Sequence, residues 1–127
     1  MKNYLHPIGK FGGYCLNKDI AALYQVSKDN NNESIFLKDT LYINDHLEEH
    51  IVNKIIKNID KDTKIGILGL SFKPNSNDVR NTSSYFVIKS LIDKGYKNIY
   101  AYDPIAIDNF KKTFNILKEE NYIYNYE

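Results

Sequence analysis

Apolar residues recur every four positions at Ile43, Leu47, Ile51, Ile55 and Ile59, with mostly polar or charged residues between them. That period predicts one long amphipathic helix from about Ser34 to Ile59, closed by Asp60-Lys61-Asp62. The stretch before it, Lys28-Asp29-Asn30-Asn31-Asn32, has no apolar residue and predicts a turn. Ahead of that turn, Leu16 to about Val26 predicts a shorter helix, with Ala21, Ala22 and Leu23 continuing it. Residues 1–13 read as a strand end or loop that closes on Gly12-Gly13.

After the long helix the period changes. Lys64 to Ser71 is a short apolar run, Ile65-Gly66-Ile67-Leu68-Gly69-Leu70, and it predicts a buried parallel strand whose glycines allow close approach to neighbours. A polar loop follows from Phe72 to Arg80. Thr82, Ser83 and Ser84 then offer caps for a helix that runs to Lys94 and stops at Gly95. Asn98 to Tyr102 predicts a second strand, ended by Asp103-Pro104. Strand, helix, strand in this order is half of a doubly wound parallel sheet. Phe110 to Leu117 predicts a further helix, and Asn121 to Glu127 is either a short strand or a frayed end. The fold class expected is α/β, a long central helix followed by a partial Rossmann-like unit. Two or three strands expose edges and leave the sheet incompletely covered, so the chain is expected to be a fragment.

Composition narrows the partners. The chain has 127 residues, 43% hydrophobic and 26% charged, with a formal net charge of +1. This balance suits a globular protein and gives no electrostatic case for nucleic acid or a membrane surface. A single cysteine excludes an internal disulfide and fits a reducing, cytoplasmic compartment. Arg80 is the only arginine among 17 basic residues, which points to a guanidinium needed for planar, bidentate contact.

The single cysteine, Cys15, follows two glycines and opens the first helix, a position that favours the thiolate through unpaired N–H groups. Asp19 is four residues on and shares its helical face. A nucleophile and a carboxylate at this spacing suit attack on a carbonyl with assisted proton transfer. The competing reading is a buried, inert cysteine in a tight turn.

Three segments, in order, resemble the nucleotide-sugar 6-dehydrogenases, the UDP-glucose and GDP-mannose enzymes. Ile8-Gly9-Lys10-Phe11-Gly12-Gly13-Tyr14-Cys15-Leu16-Asn17-Lys18-Asp19 looks like their active-site motif. Ile43-Asn44-Asp45 and Ile51-Val52-Asn53-Lys54-Ile55 look like their central helix. Leu68 to Arg80, and then Tyr102-Asp103-Pro104, resemble their UDP-binding domain. The resemblance implies residues 1–33 as the active-site loop and helix, 34–61 as a dimerisation helix and 62–127 as part of a UDP-binding domain.

The family oxidises a sugar C6 alcohol to a carboxylate in two steps with two NAD, through a thiohemiacetal and a thioester. By resemblance Cys15 is the nucleophile and Asp19 its carboxylate. Phe11, Gly12, Phe72 and Lys73 contact the nucleotide sugar, and Arg80 reaches the dinucleotide. The implied partners are a UDP-sugar, NAD held mainly by a domain upstream, and a second copy of the chain, with no metal. The family's catalytic lysine and asparagine also lie upstream, so the chain alone is expected to be inactive. Asn17 stands where the family usually has proline, and Asn81-Thr82-Ser83 replaces its commoner Glu-Ser-Pro.

Two other readings compete. One is a nucleotide-binding and dimerisation module without catalysis. The other is a zinc peptidase, because His46-Leu47-Glu48-Glu49-His50 fits His-x-x-Glu-His, with Glu119 or Glu120 as a third ligand. A packing helix with polar flanks explains His46, Glu49 and His50 more simply.

Overall fold

The computed structural model describes residues 10–125, so Ile8 and Gly9 of the active-site motif and the last two residues of the tail lie outside it. Four helices and two strands follow in the order α1 (Cys15–Asp29), α2 (Ile35–Ile56), β1 (Ile65–Leu68), α3 (Ser83–Asp93), β2 (Ile99–Tyr102) and α4 (Ile107–Phe114). A 3-10 turn spans Glu119–Asn121. The strands β1 and β2 pair in parallel, Ile65 opposite Ile99 through Leu68 opposite Tyr102. One bridge from Ala101 to Tyr122, also parallel, marks a third sheet position at the tail. The α/β class, the unbroken long helix and the parallel pairing match the pattern of the sequence.

Element boundaries moved where local chemistry overrides periodicity. Helix α1 runs through Lys28 and Asp29 and stops only at Asn30-Asn31, where Asn31 takes a left-handed φ of 54°. Strand β1 stops at Leu68 because Gly69 turns to φ 94°. Helix α4 begins three residues before the expected Phe110. Asp103 Oδ1 accepts from the backbone N–H groups of Ile105 and Ala106 at 2.8 and 2.7 Å, which starts the turn directly after Pro104. Asn115, at φ 43°, ends it.

Helix α3 closes as expected. Gly95 (φ 88°) donates to Ile92 O at 2.8 Å and Tyr96 to Leu91 O at 3.0 Å. Its N-cap is Thr82, yet the threonine side chain makes no capping bond.

Two expectations about packing are corrected. Strand β1 is not buried on both faces: Ile65 and Ile67 face the core, whereas Gly66 and Leu68 are exposed. Among the described residues nothing covers that face, and a Cβ added at Gly66 or Gly69 would meet nothing within 4 Å. These glycines therefore do not serve close packing. The second correction concerns α2. Its buried positions are Asn44, Glu48 and Val52, one residue out of step with the apolar stripe. Ile51, Ile55 and Ile59 pack at the margin of the core, while Ile43 is exposed. The core itself joins Val52 of α2 to Val87, Ile88 and Leu91 of α3, Ile99 and Ala101 of β2 and Phe110 of α4.

Candidate active site

Three loops converge beyond the ends of β1 and β2. The first, Lys10 to Tyr14, leads into α1. Gly12 and Gly13 let it press against the second, Phe72 to Asn81. A Cβ on Gly12 would lie 2.4 Å from the Asn81 carbonyl oxygen, and one on Gly13, at φ 75°, would lie 2.8 Å from the Phe72 ring. Two hydrogen bonds seal the contact: Gly13 N–H donates to Arg80 O at 3.0 Å, and Asn81 Nδ2 donates to Gly13 O at 2.9 Å. Asn81 itself is left-handed (φ 50°), a conformation that asparagine tolerates better than most residues. The third loop is Asp103-Pro104-Ile105.

Asp103 holds the strand ends together. Besides Ile105 and Ala106 it accepts from Leu70 N–H at 2.8 Å and Ser71 N–H at 3.4 Å through Oδ2. Burial alone would push its carboxyl up, but these four backbone donors outweigh burial and hold it below the usual carboxylate range.

Between the loops lies a cavity of about 840 Å³. Its wall includes Phe11, Gly12, Phe72 and Lys73, together with Lys10, Leu16, Ser71, the α3 start at Thr82-Ser83-Ser84, and Asp103. All four residues expected to contact a nucleotide sugar thus share one cavity. It sits outside the carboxyl ends of parallel strands and beside a helix N-terminus, where doubly wound sheets hold phosphate-bearing ligands.

Cys15, Asp19 and Arg80 stand beside this wall rather than in it. Cys15 is exposed, not buried, and is the first residue of α1, flanked by the cavity-lining Gly12 segment and Leu16. Asp19 pairs with Lys18 at 2.5 Å. Arg80 forks onto Asp78, with Nε 3.0 Å from both carboxylate oxygens and Nη2 2.6 Å from Oδ2, and its guanidinium lies 5.3 Å from the Tyr14 ring centre. The hydrogen bonds from Arg80 hold the Asp78 carboxyl below its ordinary range. The planar, bidentate contact expected of the lone arginine is therefore present, made with a neighbour in its own loop.

Several further residues of the site stood in or beside the quoted motifs with no site role assigned to them. Asn44 of α2 is buried and bonds both backbone groups of Phe11. Lys10 is buried against Glu48 at 3.2 Å and lies 4.2 Å from the Phe86 ring centre. Asp103 read in the sequence as a strand stop, and Asn81 as the first residue of a departure from the family's pattern. Asn44 stood in the Ile43-Asn44-Asp45 segment that resembles the family's central helix, and nothing there gave its side chain a role.

The His-x-x-Glu-His segment offers less to a metal. His46 stacks on Tyr42, with its Nδ1 2.7 Å from the Tyr42 carbonyl. Among the described residues no group of three His, Cys, Asp or Glu side chains converges to hold a metal ion. No helix among them is long and apolar enough to cross a membrane.

Comparison with known proteins accounts for this arrangement. Residues 66–126 match the UDP binding domain of the UDP-glucose/GDP-mannose dehydrogenase family. A UDP-glucose 6-dehydrogenase of Rickettsia bellii is 38% identical over 117 residues, 90% of this chain and 26% of the relative. One from Bacillus subtilis is 38% identical over 99 residues, 76% of this chain and 21% of the relative. The chain spans about a quarter of the length of the curated relatives it matches. Among solved structures, a UDP-glucose dehydrogenase from Pyrobaculum islandicum superposes with a TM-score of 0.76 at 25% identity, covering 91% of this chain and 26% of that one. A GDP-mannose dehydrogenase from Pseudomonas aeruginosa shares the fold, with a TM-score of 0.82 at 24% identity over 98% of this chain and 30% of that one. With its UDP-binding fold and its glycine-braced cysteine loop in one piece, the chain belongs to the UDP-glucose/GDP-mannose dehydrogenase family and corresponds to the C-terminal part of its members.

Proposed function

We propose that this chain binds the nucleoside diphosphate of a UDP-sugar in the cavity between β1, β2 and the Cys15 loop, and supplies the thiol for oxidation of the sugar C6 to a carboxylate. The observation that carries the reading is the shared cavity of Phe11, Gly12, Phe72 and Lys73, whose wall also includes Leu16, the residue after Cys15. The Lys73 ammonium and the N–H groups opening α3 suit phosphate oxygens. The Phe72 ring closes the floor against Gly13.

NAD, when bound, accepts hydride from C6. The described residues contain one parallel sheet, and this reading gives its cavity to the nucleotide sugar. Arg80, exposed and 5.3 Å from the Tyr14 ring centre, suits an edge of the dinucleotide. Cys15 then acts on the C6 aldehyde. Its sulfur bonds to the carbonyl carbon while the carbonyl oxygen takes a proton. Loss of a second hydride, to a second oxidised nicotinamide, and of the hydroxyl proton to solvent leaves a thioester, and water displaces the thiolate to free the acid. In this reading Asp19, one helical turn from Cys15, accepts or returns the proton of the attacking water. An exposed thiol suits a reducing, cytoplasmic compartment.

The same reading gives the chain a second copy as partner. Ile35, Phe36, Tyr42 and Ile43 form two adjacent apolar columns on the N-terminal half of α2, each residue more than 60% exposed. Apolar strips of this kind mark interfaces.

Calorimetric titration with UDP tests the site. Saturable binding that Lys73→Ala weakens about tenfold, the loss of one charge-assisted contact, supports it. No heat of binding from UDP or UDP-glucose would overturn it.

A further inference from the structure

Only 4% of the Asn44 surface is exposed, and its carboxamide reaches across to the cysteine loop. Oδ1 accepts from Phe11 N–H at 2.9 Å, and Nδ2 donates to the Phe11 carbonyl at 3.3 Å. One side chain thereby closes both backbone groups of one residue, as a neighbouring strand would. The same Nδ2 donates to Asn17 Oδ1 at 3.2 Å. Asn17, in the first turn of α1, points its own Nδ2 at Phe11 O and Gly13 O, at 3.5 and 3.4 Å. One turn along α2 from Asn44, Glu48 holds Lys10, the residue before Phe11, at 3.2 Å. Neither asparagine lines the cavity, and the proposed chemistry uses neither.

Buried hydrogen bonds add little net stability, because folding exchanges them for bonds to water. Directional bonds instead fix where a segment stands, which apolar packing leaves free to slide. We propose that Asn44 is a positioning residue: through Phe11 and Asn17 it sets the place of the Gly12–Cys15 segment against the cavity, and so decides which atom of a bound ligand Cys15 meets. The effect on a ligand rests on the nucleotide-sugar reading of the cavity, whereas the hold on the loop does not.

Because the chain has one cysteine, thiol labelling reports on Cys15 alone. Two reagents separate position from reactivity: free iodoacetamide, and a bromoacetamide tethered to the diphosphate of UDP. In the wild type the tethered reagent should label faster than the free one. Asn44→Leu should cut the tethered rate about tenfold to a hundredfold, the penalty of an ångström-scale displacement, while UDP affinity and the free rate stay within about twofold. Exchange of the Phe11 and Gly13 amides should quicken. Asn17→Ala, at a half-buried position, should give a smaller loss of the same kind and serves if Asn44→Leu does not fold. Wild-type tethered rates in both variants would overturn the proposal. Should UDP fail to bind the wild type, the cavity reading falls. The Phe11 and Gly13 amides then decide alone: faster exchange in Asn44→Leu supports the hold on the loop, and unchanged exchange overturns it.

Discussion

Gly12 and Gly13 each meet a neighbour that leaves no room for a methyl group. At Gly12 the obstacle is the Asn81 backbone, 2.4 Å from an added Cβ, so the loops would have to part. At Gly13 it is the Phe72 ring, compounded by φ 75°. Gly12→Ala and Gly13→Ala should each cost about 1–3 kcal/mol in urea unfolding. Gly66→Ala is the control: a Cβ there meets nothing within 4 Å and no positive φ opposes it. It should leave stability unchanged or raise it by about 0.5 kcal/mol.

Asp103 is the second exacting residue. Its folded carboxyl titrates below the unfolded value of roughly 3.9, so its contribution is complete above that pH and lost as the pH falls through the folded value. Asp103→Asn should cost about 3 kcal/mol at neutral pH, because amide hydrogens would then face backbone donors. The wild type should lose more stability than the variant between about pH 5 and pH 2. Two unfolding series across that range would check both statements, and parallel acid limbs would contradict the second.

The helix α2 shows how far periodicity carries. Its existence and continuity followed from the four-residue stripe, and so did the parallel unit after it, because each rests on many residues acting together. Which face it buries did not follow. The stripe ran through Ile43 and Leu47, but the buried column is Asn44, Glu48 and Val52. Two polar members of that column are buried because they answer to groups distant in sequence, Phe11 and Lys10, which hydropathy does not register. The site was legible to a similar extent. Phe11, Gly12, Phe72 and Lys73 stood in motifs and share a cavity. Asn44 and Asp103 also stood in quoted segments and Asn81 beside one, but they act by bonding backbone, a role that residue type and spacing do not announce. Val52→Ala, at the inner end of the buried column, should cost about 2 kcal/mol in thermal or urea unfolding. Phe36→Ser and Ile43→Ser, on the exposed columns, should leave the monomer within about 0.5 kcal/mol of wild type. The same pair should lower the sedimentation coefficient if α2 joins two copies. A wild-type chain sedimenting as a monomer at micromolar concentration would exclude that contact.

For the molecule as a whole, the contacts that join the cysteine loop to the rest of the chain include the glycine pair against Phe72 and Asn81, Asn44 against Phe11, and Lys10 against Glu48 and Phe86. Binding and turnover should separate in the chain studied alone. UDP should bind, and UDP-glucose with NAD should give no reduced cofactor, since hydride transfer depends on near-ångström placement of a nicotinamide against C6. Absorbance of NADH reads this directly, and turnover by the 127 residues alone would contradict it.

The Gly12–Asn81 contact also leaves a mark on how such sequences can diverge. Position 81 tolerates few residues while glycine stands at position 12, because its carbonyl must turn toward the gap that the missing side chain leaves. A lineage that acquires a side chain at 12 must first relax the turn at 81, and one that changes 81 loses the amide that ties down Gly13. The two sites, 69 positions apart in the chain, are expected to change together or not at all, as an epistatic pair whose order of substitution is fixed. Combinatorial libraries at positions 12 and 81 that yielded folded single and double variants at independent frequencies would refute that coupling.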